Sequence, residues 1–137
     1  MAFIDMQTMR YINLLSRVAH VKTSKCFVYN NMIVFAVPRD QVGRAVGPRG
    51  DNIREIQMTL GKKIKIVSEP AGLEDAQRFV QDVVEPVSFR SLEVRDGLFV
   101  LNAGSQSKAA LIGRNKKRFE ELDQILKDSF GISLKIV

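Results

Sequence analysis

Residues 42–52 read VGRAVGPRGDN, a stretch that places three glycines within eight positions of a chain that has nine. Glycine is favoured where the backbone takes a positive φ or where another group approaches closely, and it weakens regular elements. Gly47 and Gly50 stand three residues apart around a proline and an arginine. The stretch therefore predicts a special loop, GPRG, between two short helices.

The segment before this loop predicts a helix followed by a hairpin. The sequence KCFVYNNMIVFAV, residues 25–37, has two β-branched and aromatic runs around Asn30 and Asn31, a pair that tolerates the left-handed conformations of a tight turn. Upstream, apolar residues at helical spacing predict an amphipathic helix over about residues 5–19. The residues of that apolar stripe are Ile4, Tyr11, Ile12, Leu15 and Val18.

The loop itself is expected between two helices that lead to a closing strand. A short helix is expected over about residues 38–46. Asn52, with Glu55 three residues on, resembles a capping box for a second helix that ends near Leu60. The run KKIKIV, residues 62–67, then predicts a strand.

A search for internal repeats shows that this unit occurs twice. A shift of 66 residues places VYNNMIVFAV, residues 28–37, on VRDGLFVLNA, residues 94–103. Without a gap, the same shift places AVGPRGDNI, residues 45–53, on LIGRNKKRF, residues 111–119. The hairpin and the loop therefore recur with the same spacing between them.

The closing strands, IKIV and LKIV, match only at a shift of 70. Four extra residues are about one helical turn, so the helix after the second loop should be one turn longer. The second copy should begin with a helix in LEDAQRFVQDVVE, residues 73–85. Its apolar stripe is Ala76, Phe79, Val80 and Val83.

The chain is thus predicted to contain two domains, residues 1–69 and 70–137, joined at SEPAG, residues 68–72. Each copy has about 65 residues, a size at which a lone hydrophobic core is marginal. The two copies are therefore expected to pack together as one rigid unit.

Both halves resemble the type II K-homology (KH) domain, whose order is helix, strand, strand, helix, helix, strand, with a GxxG loop between the consecutive helices. Here that loop is Gly47-Pro48-Arg49-Gly50. The tandem is similar to the archaeal NusA-like transcription factors. This resemblance implies an α+β fold and a single-stranded RNA-binding protein of the cytoplasm that acts in transcription elongation or termination.

The chemistry of the loop agrees with RNA binding. Two glycines let a sugar-phosphate backbone approach the main chain, and the helix start after them offers unpaired N–H groups. KH modules clamp about four nucleotides in this way. The alternative is that GPRG is only a helix–helix turn. The expected RNA-binding residues are Gly47, Pro48, Arg49 and Gly50 in the loop, Val46, Ile53, Ile64 and Ile66 in an apolar groove, and Arg44, Arg54 and Lys65 at its rim.

The second loop, GRNK, departs from the GxxG pattern because a lysine replaces the second glycine. A lysine side chain there prevents the sugar-phosphate backbone from approaching the main chain closely, but it supplies a cation. Clamping that depends on shape would thus be replaced by a less selective attraction for phosphates. The alternative is that this half has lost RNA binding and survives as a packing partner. Its candidate RNA-binding residues are Gly113, Arg114, Asn115, Lys116, Lys117 and Arg118.

Composition favours a binding protein over an enzyme. The net charge of +6 suits a polyanionic partner. His20 and Cys26 are the only residues of their types, which leaves no His and Cys metal cluster. We expect Cys26 to be a small buried residue. No nucleotide P-loop or long apolar run occurs, so we expect no cofactor, membrane contact or small-molecule substrate. The alternative function is an adaptor that binds RNA polymerase or a ribosome-assembly partner, with RNA binding incidental.

Overall fold

The computed structural model describes residues 6–137, which divide into two compact units, residues 6–69 and 70–137. Each unit mixes helices with one three-stranded sheet. Ile4 and Asp5, at the expected start of the first helix, lie outside the described residues. No helix within residues 6–137 is both long enough and apolar enough to cross a bilayer.

The first unit has the element order helix, strand, strand, helix, helix, strand. Its elements are α1 (Met6–Ala19), β1 (Lys25–Tyr29), β2 (Met32–Val37), α2 (Val42–Val46), α3 (Asp51–Leu60) and β3 (Lys63–Ser68). The predicted hairpin is confirmed, and both of its turn residues are left-handed, with φ of 51° at Asn30 and 61° at Asn31. These angles are those of the turn that matches the twist of two antiparallel strands.

Strand β2 is the centre of the first sheet. It pairs antiparallel with β1 and parallel with β3. Parallel neighbours need a crossover connection, and here the crossover consists of α2, the glycine loop and α3. The loop is therefore carried by two helices that are both anchored to the same sheet.

The core of the first unit lies between the sheet and its helices. Alternate residues of β2, among them Phe35, face this core and are fully buried, as are Leu15 of α1 and Ile56 of α3. Cys26 is only half-buried and packs against the edge of this cluster, so it is less enclosed than the sequence suggested.

The second unit repeats the order of the first. Its elements are α4 (Ala76–Val84), β4 (Ser91–Arg95), β5 (Leu98–Asn102), α5 (Lys108–Ile112), α6 (Lys117–Phe130) and β6 (Ser133–Ile136). Helix α6 has 14 residues where α3 has 10, which confirms the expected extra turn. The hairpin turn again falls on the pair that the shift of 66 residues aligns with Asn30 and Asn31, namely Asp96 and Gly97, both with positive φ.

Three phenylalanine rings meet in the second unit. The ring of Phe130 meets Phe79 at a centroid distance of 6.1 Å and Phe99 at 5.4 Å, both edge to face. Such pairs add stability beyond their buried area. The predicted apolar stripe of α4 is confirmed, since all four of its residues are buried: Ala76, Phe79, Val80 and Val83.

Two details of the helices differ from the sequence prediction. The capping box is wrong, because α3 begins at Asp51 with Gly50 as its N-cap, and Asn52 lies inside the helix. The Asn52 side chain instead donates a hydrogen bond from Nδ2 to the Arg44 carbonyl oxygen at 2.9 Å. The helix expected over residues 38–46 is divided into a 3-10 turn, Arg39–Gln41, and α2.

Candidate nucleic-acid interface

The first glycine loop joins α2 to α3 through an unusual backbone. Gly47 has φ 80° and ψ 166°, a region open essentially to glycine alone. Arg49 and Gly50 are left-handed, with φ of 55° and 74°. The Gly47 N–H donates to the Gly43 carbonyl at 2.9 Å, and the Gly50 N–H donates to the Gly47 carbonyl at 3.0 Å. Pro48 and Arg49 remain exposed at the tip.

The two glycines of this loop are required for different reasons. A Cβ on Gly47 would stand 2.8 Å from Cγ of Asn52 and 2.9 Å from its backbone N, so no side chain fits. A Cβ on Gly50 would meet nothing nearer than Nη1 of Arg54 at 3.7 Å, an ordinary contact. Packing requires the first glycine, whereas the second is favoured by its backbone conformation and leaves the main chain open to approach.

The second loop has the same backbone despite its lysine. Gly113 has φ 76° and ψ 173°, and Asn115 and Lys116 are left-handed, with φ of 56° and 61°. A Cβ on Gly113 would stand 2.6 Å from Cγ of Arg118, the residue at the position of Asn52. The first glycine is thus sterically required in both units, while at the second position a lysine holds the glycine conformation.

The basic residues at the two loops differ in their partners. Arg54, expected at the groove rim, pairs with Asp51. Arg118 pairs with Glu121 at 3.0 Å, with only 14% and 17% of the two side chains exposed. Five other candidate cations make no ion pair with any residue in 6–137: Arg44, Arg49, Arg114, Lys116 and Lys117.

Arg78 on α4 shows what a basic residue with a structural role looks like in this chain. It is held by Asp75 at 2.6 Å and Asp82 at 2.8 Å. The hydrogen bond from Arg78 to Asp75 raises the pKa of this guanidinium above its ordinary value, although burial opposes the shift. Its charge is therefore balanced within the unit, unlike the charges of the five loop cations that make no ion pair within residues 6–137.

An apolar cavity of about 260 Å³ adjoins the second loop. Lys116 of the loop is part of its lining, so the cavity and the loop form one continuous surface. The remaining lining residues are Ile112, Phe119, Leu134, Lys135 and Ile136. Within the repeat they correspond to Val46, Ile53, Ile64, Lys65 and Ile66, the groove predicted for the first unit.

The predicted groove residues of the first unit lie on the corresponding elements. Val46 ends α2, Ile53 is in α3, and Ile64, Lys65 and Ile66 are in β3. Ile64 is buried, at 8% exposed, and the others are half-buried. The sequence analysis did not predict the lining of the second cavity. The repeat shifts could have found it, because adding 66 or 70 to the residue numbers of the first loop and groove gives every lining residue.

Chemically, this arrangement can hold an anion beside an apolar slot. Bare backbone and unpaired cations lie at the loop, and aliphatic or aromatic side chains lie next to it. Within residues 6–137 there is no group of three His, Cys, Asp or Glu side chains placed to hold a metal ion.

A family model described as the KH domain matches residues 32–81, which run from β2 through the first loop to α4. Several curated proteins called "Probable transcription termination protein NusA" are similar to this chain. That of Methanocaldococcus jannaschii is 23% identical over 120 residues, covering 85% of this chain and 64% of the relative. That of Methanococcus vannielii is 24% identical over 110 residues, covering 77% and 62%.

A third such protein, from Halococcus morrhuae, is 20% identical over 127 residues, covering 90% of this chain and 89% of the relative. The match therefore spans less than two thirds of the first two relatives and most of the third. Among solved structures, the crystal structure of APE1850 superposes with a TM-score of 0.67 at 28% identity, covering 98% of this chain and 100% of that one.

Proposed function

We propose that this chain is a NusA-like KH protein that binds single-stranded RNA through two tandem type II KH domains, residues 1–69 and 70–137. RNA binding is the activity that a KH domain implies. The type II assignment is supported by the element order of each unit, in which the glycine loop joins two consecutive helices inside a parallel crossover.

The observation that carries the proposal is the exposed loop from Gly47 to Gly50. Its two glycines leave the main chain bare, and Arg49 at its tip has no ion pair among residues 6–137. A phosphodiester group meets both backbone N–H groups at the start of α3 and a guanidinium there. The bases then face the slot formed by Val46, Ile53 and Ile66.

The biological role we propose is transcription elongation or termination. It rests on the names of the three archaeal relatives, each a probable transcription termination protein. RNA polymerase is the protein partner that such a role implies. In this proposal the exposed loop from Gly47 to Gly50 binds RNA without a cofactor.

The test is binding to short single-stranded RNA across a range of salt concentrations. A strand that meets about four basic side chains should show log K falling against log salt with a slope of about −3, from about 0.7 per phosphate neutralised. The same strand annealed to its complement is the control, because the slot accepts unstacked bases and should discriminate against a duplex.

Equal affinity for the strand and the duplex would contradict the proposed slot. A slope near zero, together with retention of RNA polymerase in a pull-down with the same protein, would instead favour the adaptor function.

A further inference from the structure

A polar cavity of about 370 Å³ lies in the second unit, apart from the apolar cavity beside its glycine loop. It is open to solvent and is bordered by the residues just before β4 and by the connection between β5 and α5. The polar and glycine members of its lining are Ser88, Arg90, Gly104, Ser105, Gln106 and Ser107.

The two sides of this cavity are fixed to each other. The Arg90 N–H donates to the Asn102 carbonyl at 2.7 Å, which extends the pairing of β4 with β5 to the mouth of the cavity. Gly104 has φ 79°, and a Cβ there would stand 3.2 Å from Nε of Arg90. A glycine at this position therefore lets the guanidinium lie directly against the connection.

The donors in this cavity have no protein acceptors. Within residues 6–137, the Arg90 side chain makes no ion pair or hydrogen bond, and no hydrogen bond engages the side chains of Ser105, Gln106 or Ser107. In the part of the chain that the structure describes, no acidic residue lines the cavity. A guanidinium, hydroxyls and an amide, mostly on exposed side chains, thus border a space that has no balancing negative charge among residues 6–137.

We propose that this cavity binds a phosphate group. A tetrahedral anion presents oxygens in several directions, which suits a guanidinium on one wall and hydroxyl and amide donors on the other. The volume lies within the range of small-ligand sites. This binding does not depend on the proposed RNA function, because inorganic phosphate alone is sufficient to occupy the cavity.

The first unit lacks the same set of groups. The shift of 66 residues places Ser24 at the position of Arg90, Pro38 at Gly104 and Asp40 at Gln106. The guanidinium is absent from this wall, and a carboxylate that repels an anion is added. The phosphate site is therefore a property of the second unit.

A phosphate in this cavity has two possible sources, a nucleic-acid strand and a free phosphate or monoester. Helix α5 separates the cavity from Gly113, and its five residues span only about 7 Å. A strand held at the second loop is thus close enough to place a neighbouring phosphate in the cavity.

The experiment is a titration of the full chain with inorganic phosphate, followed by amide NMR shifts at constant ionic strength set with chloride. We expect saturable shifts at Arg90 and Ser105–Lys108. R90Q should weaken phosphate binding about tenfold or more, since it removes a charge-assisted hydrogen bond. R95Q removes the same charge at the far end of β4, outside the cavity, and should leave binding unchanged.

Two outcomes would overturn the site: shifts that do not saturate, or equal weakening by R90Q and R95Q. If R90Q alters the spectrum as a whole, the double variant S105A/S107A replaces it, and unchanged phosphate affinity in that variant would equally overturn the site.

A parallel titration with a four-nucleotide RNA distinguishes the sources. Shifts of the same amides, absent in R90Q, assign the cavity to the strand. RNA shifts confined to the loop, with phosphate still bound, assign it to free phosphate or a monoester and leave the RNA proposal intact. Failure of the phosphate titration alone would likewise leave RNA binding at Gly47–Gly50 untouched.

Discussion

The two glycine loops have the same backbone and different chemistry. Both begin with a glycine that packing requires, and both place two left-handed residues before the next helix. At the fourth position one loop has Gly50 and the other has Lys116, at φ of 74° and 61°. Packing therefore requires only the first glycine, and we propose that the second allows a ligand to approach the main chain.

Charge separates the loops further. Residues 47–52 contain one arginine and one aspartate, a net charge of zero, whereas residues 113–118 contain four basic residues and no acid, a net charge of +4. The first loop thus offers an open backbone without net charge, whereas the second offers positive charge. Unequal roles in RNA binding should follow, with the first loop selective and the second mainly attractive.

The largest effect is expected from reversing the charge of the first loop. P48D/R49D puts two carboxylates where phosphates are proposed to lie, so RNA affinity should fall about 100-fold or more. Each tenfold decrease in affinity corresponds to about 1.4 kcal/mol of binding free energy. Both residues are exposed, so the urea midpoint should change little. Fluorescence anisotropy with a short labelled RNA measures the decrease in affinity.

The matched control is R114D/N115D, which makes the same change at the equivalent positions of the second loop. A smaller decrease in affinity is expected there. Native affinity in folded P48D/R49D, or a larger decrease in the control, would reverse the ranking of the two loops.

The next effect concerns stability and separates the two glycines. Gly47→Ala places a Cβ against Asn52 in a backbone region that only glycine adopts readily, and should cost about 2–3 kcal/mol of unfolding free energy. Gly50→Ala meets no close atom and should cost about 1 kcal/mol for its left-handed φ. Urea denaturation of both variants tests this, and equal costs would refute the division of roles.

These differences define how far the sequence could predict the molecule. The repeat shift located both hairpin turns and the extra turn of α6, because alternation, turn residues and spacing are local or periodic signals. The predicted capping box is wrong because the spacing of Asn52 and Glu55 does not reveal that Gly50 is the N-cap. Nor does it reveal that the Asn52 amide donates to the Arg44 carbonyl.

The partners of charged residues were also beyond sequence reasoning. Arg54 and Arg118 were both predicted to contact RNA, and the structure places each in an ion pair with an acid of its own helix. An acid three residues away is visible in the sequence, but whether it or a ligand engages the arginine depends on side-chain packing. The RNA-binding assignment of every site residue remains a prediction.

A swap at the fourth loop position should have a smaller effect. Lys116→Gly relieves a left-handed non-glycine residue and should stabilise the protein by about 0.5–1 kcal/mol, after allowance for the entropy that glycine adds to the unfolded chain. Gly50→Lys should destabilise it by a similar amount. Thermal or urea melts of the two variants measure both, and a decrease in the stability of K116G would show that its lysine is not strained.

The smallest effect is expected from neutralising the second loop. K116A/K117A removes two cations that make no ion pair within residues 6–137, and should lower RNA affinity only a few-fold. The salt slope should become shallower by about 1.4, because each of the two phosphates that is no longer neutralised accounts for about 0.7. Arg118 is left intact because its pairing with Glu121 is structural.

Anisotropy titrations at several salt concentrations measure this slope. The control is R95Q, which removes a single basic residue at the far end of β4, outside the cavity, and should change neither the salt slope nor the RNA affinity. An unchanged slope in K116A/K117A would indicate that this half does not bind RNA through its loop.

The two copies of the repeat differ in length by one helical turn, and that turn lies in α6. Each residue added to a helix rotates everything beyond it by about 100°, so four residues return the apolar face to within about 40° of its former direction. One or two added residues would instead turn Leu122 and Ile125 away from the sheet, at the cost of the core. Insertions after this loop are therefore tolerated only in whole helical turns, so the length of α6 can change only in steps. The loop before α6 and the strand after it keep their positions.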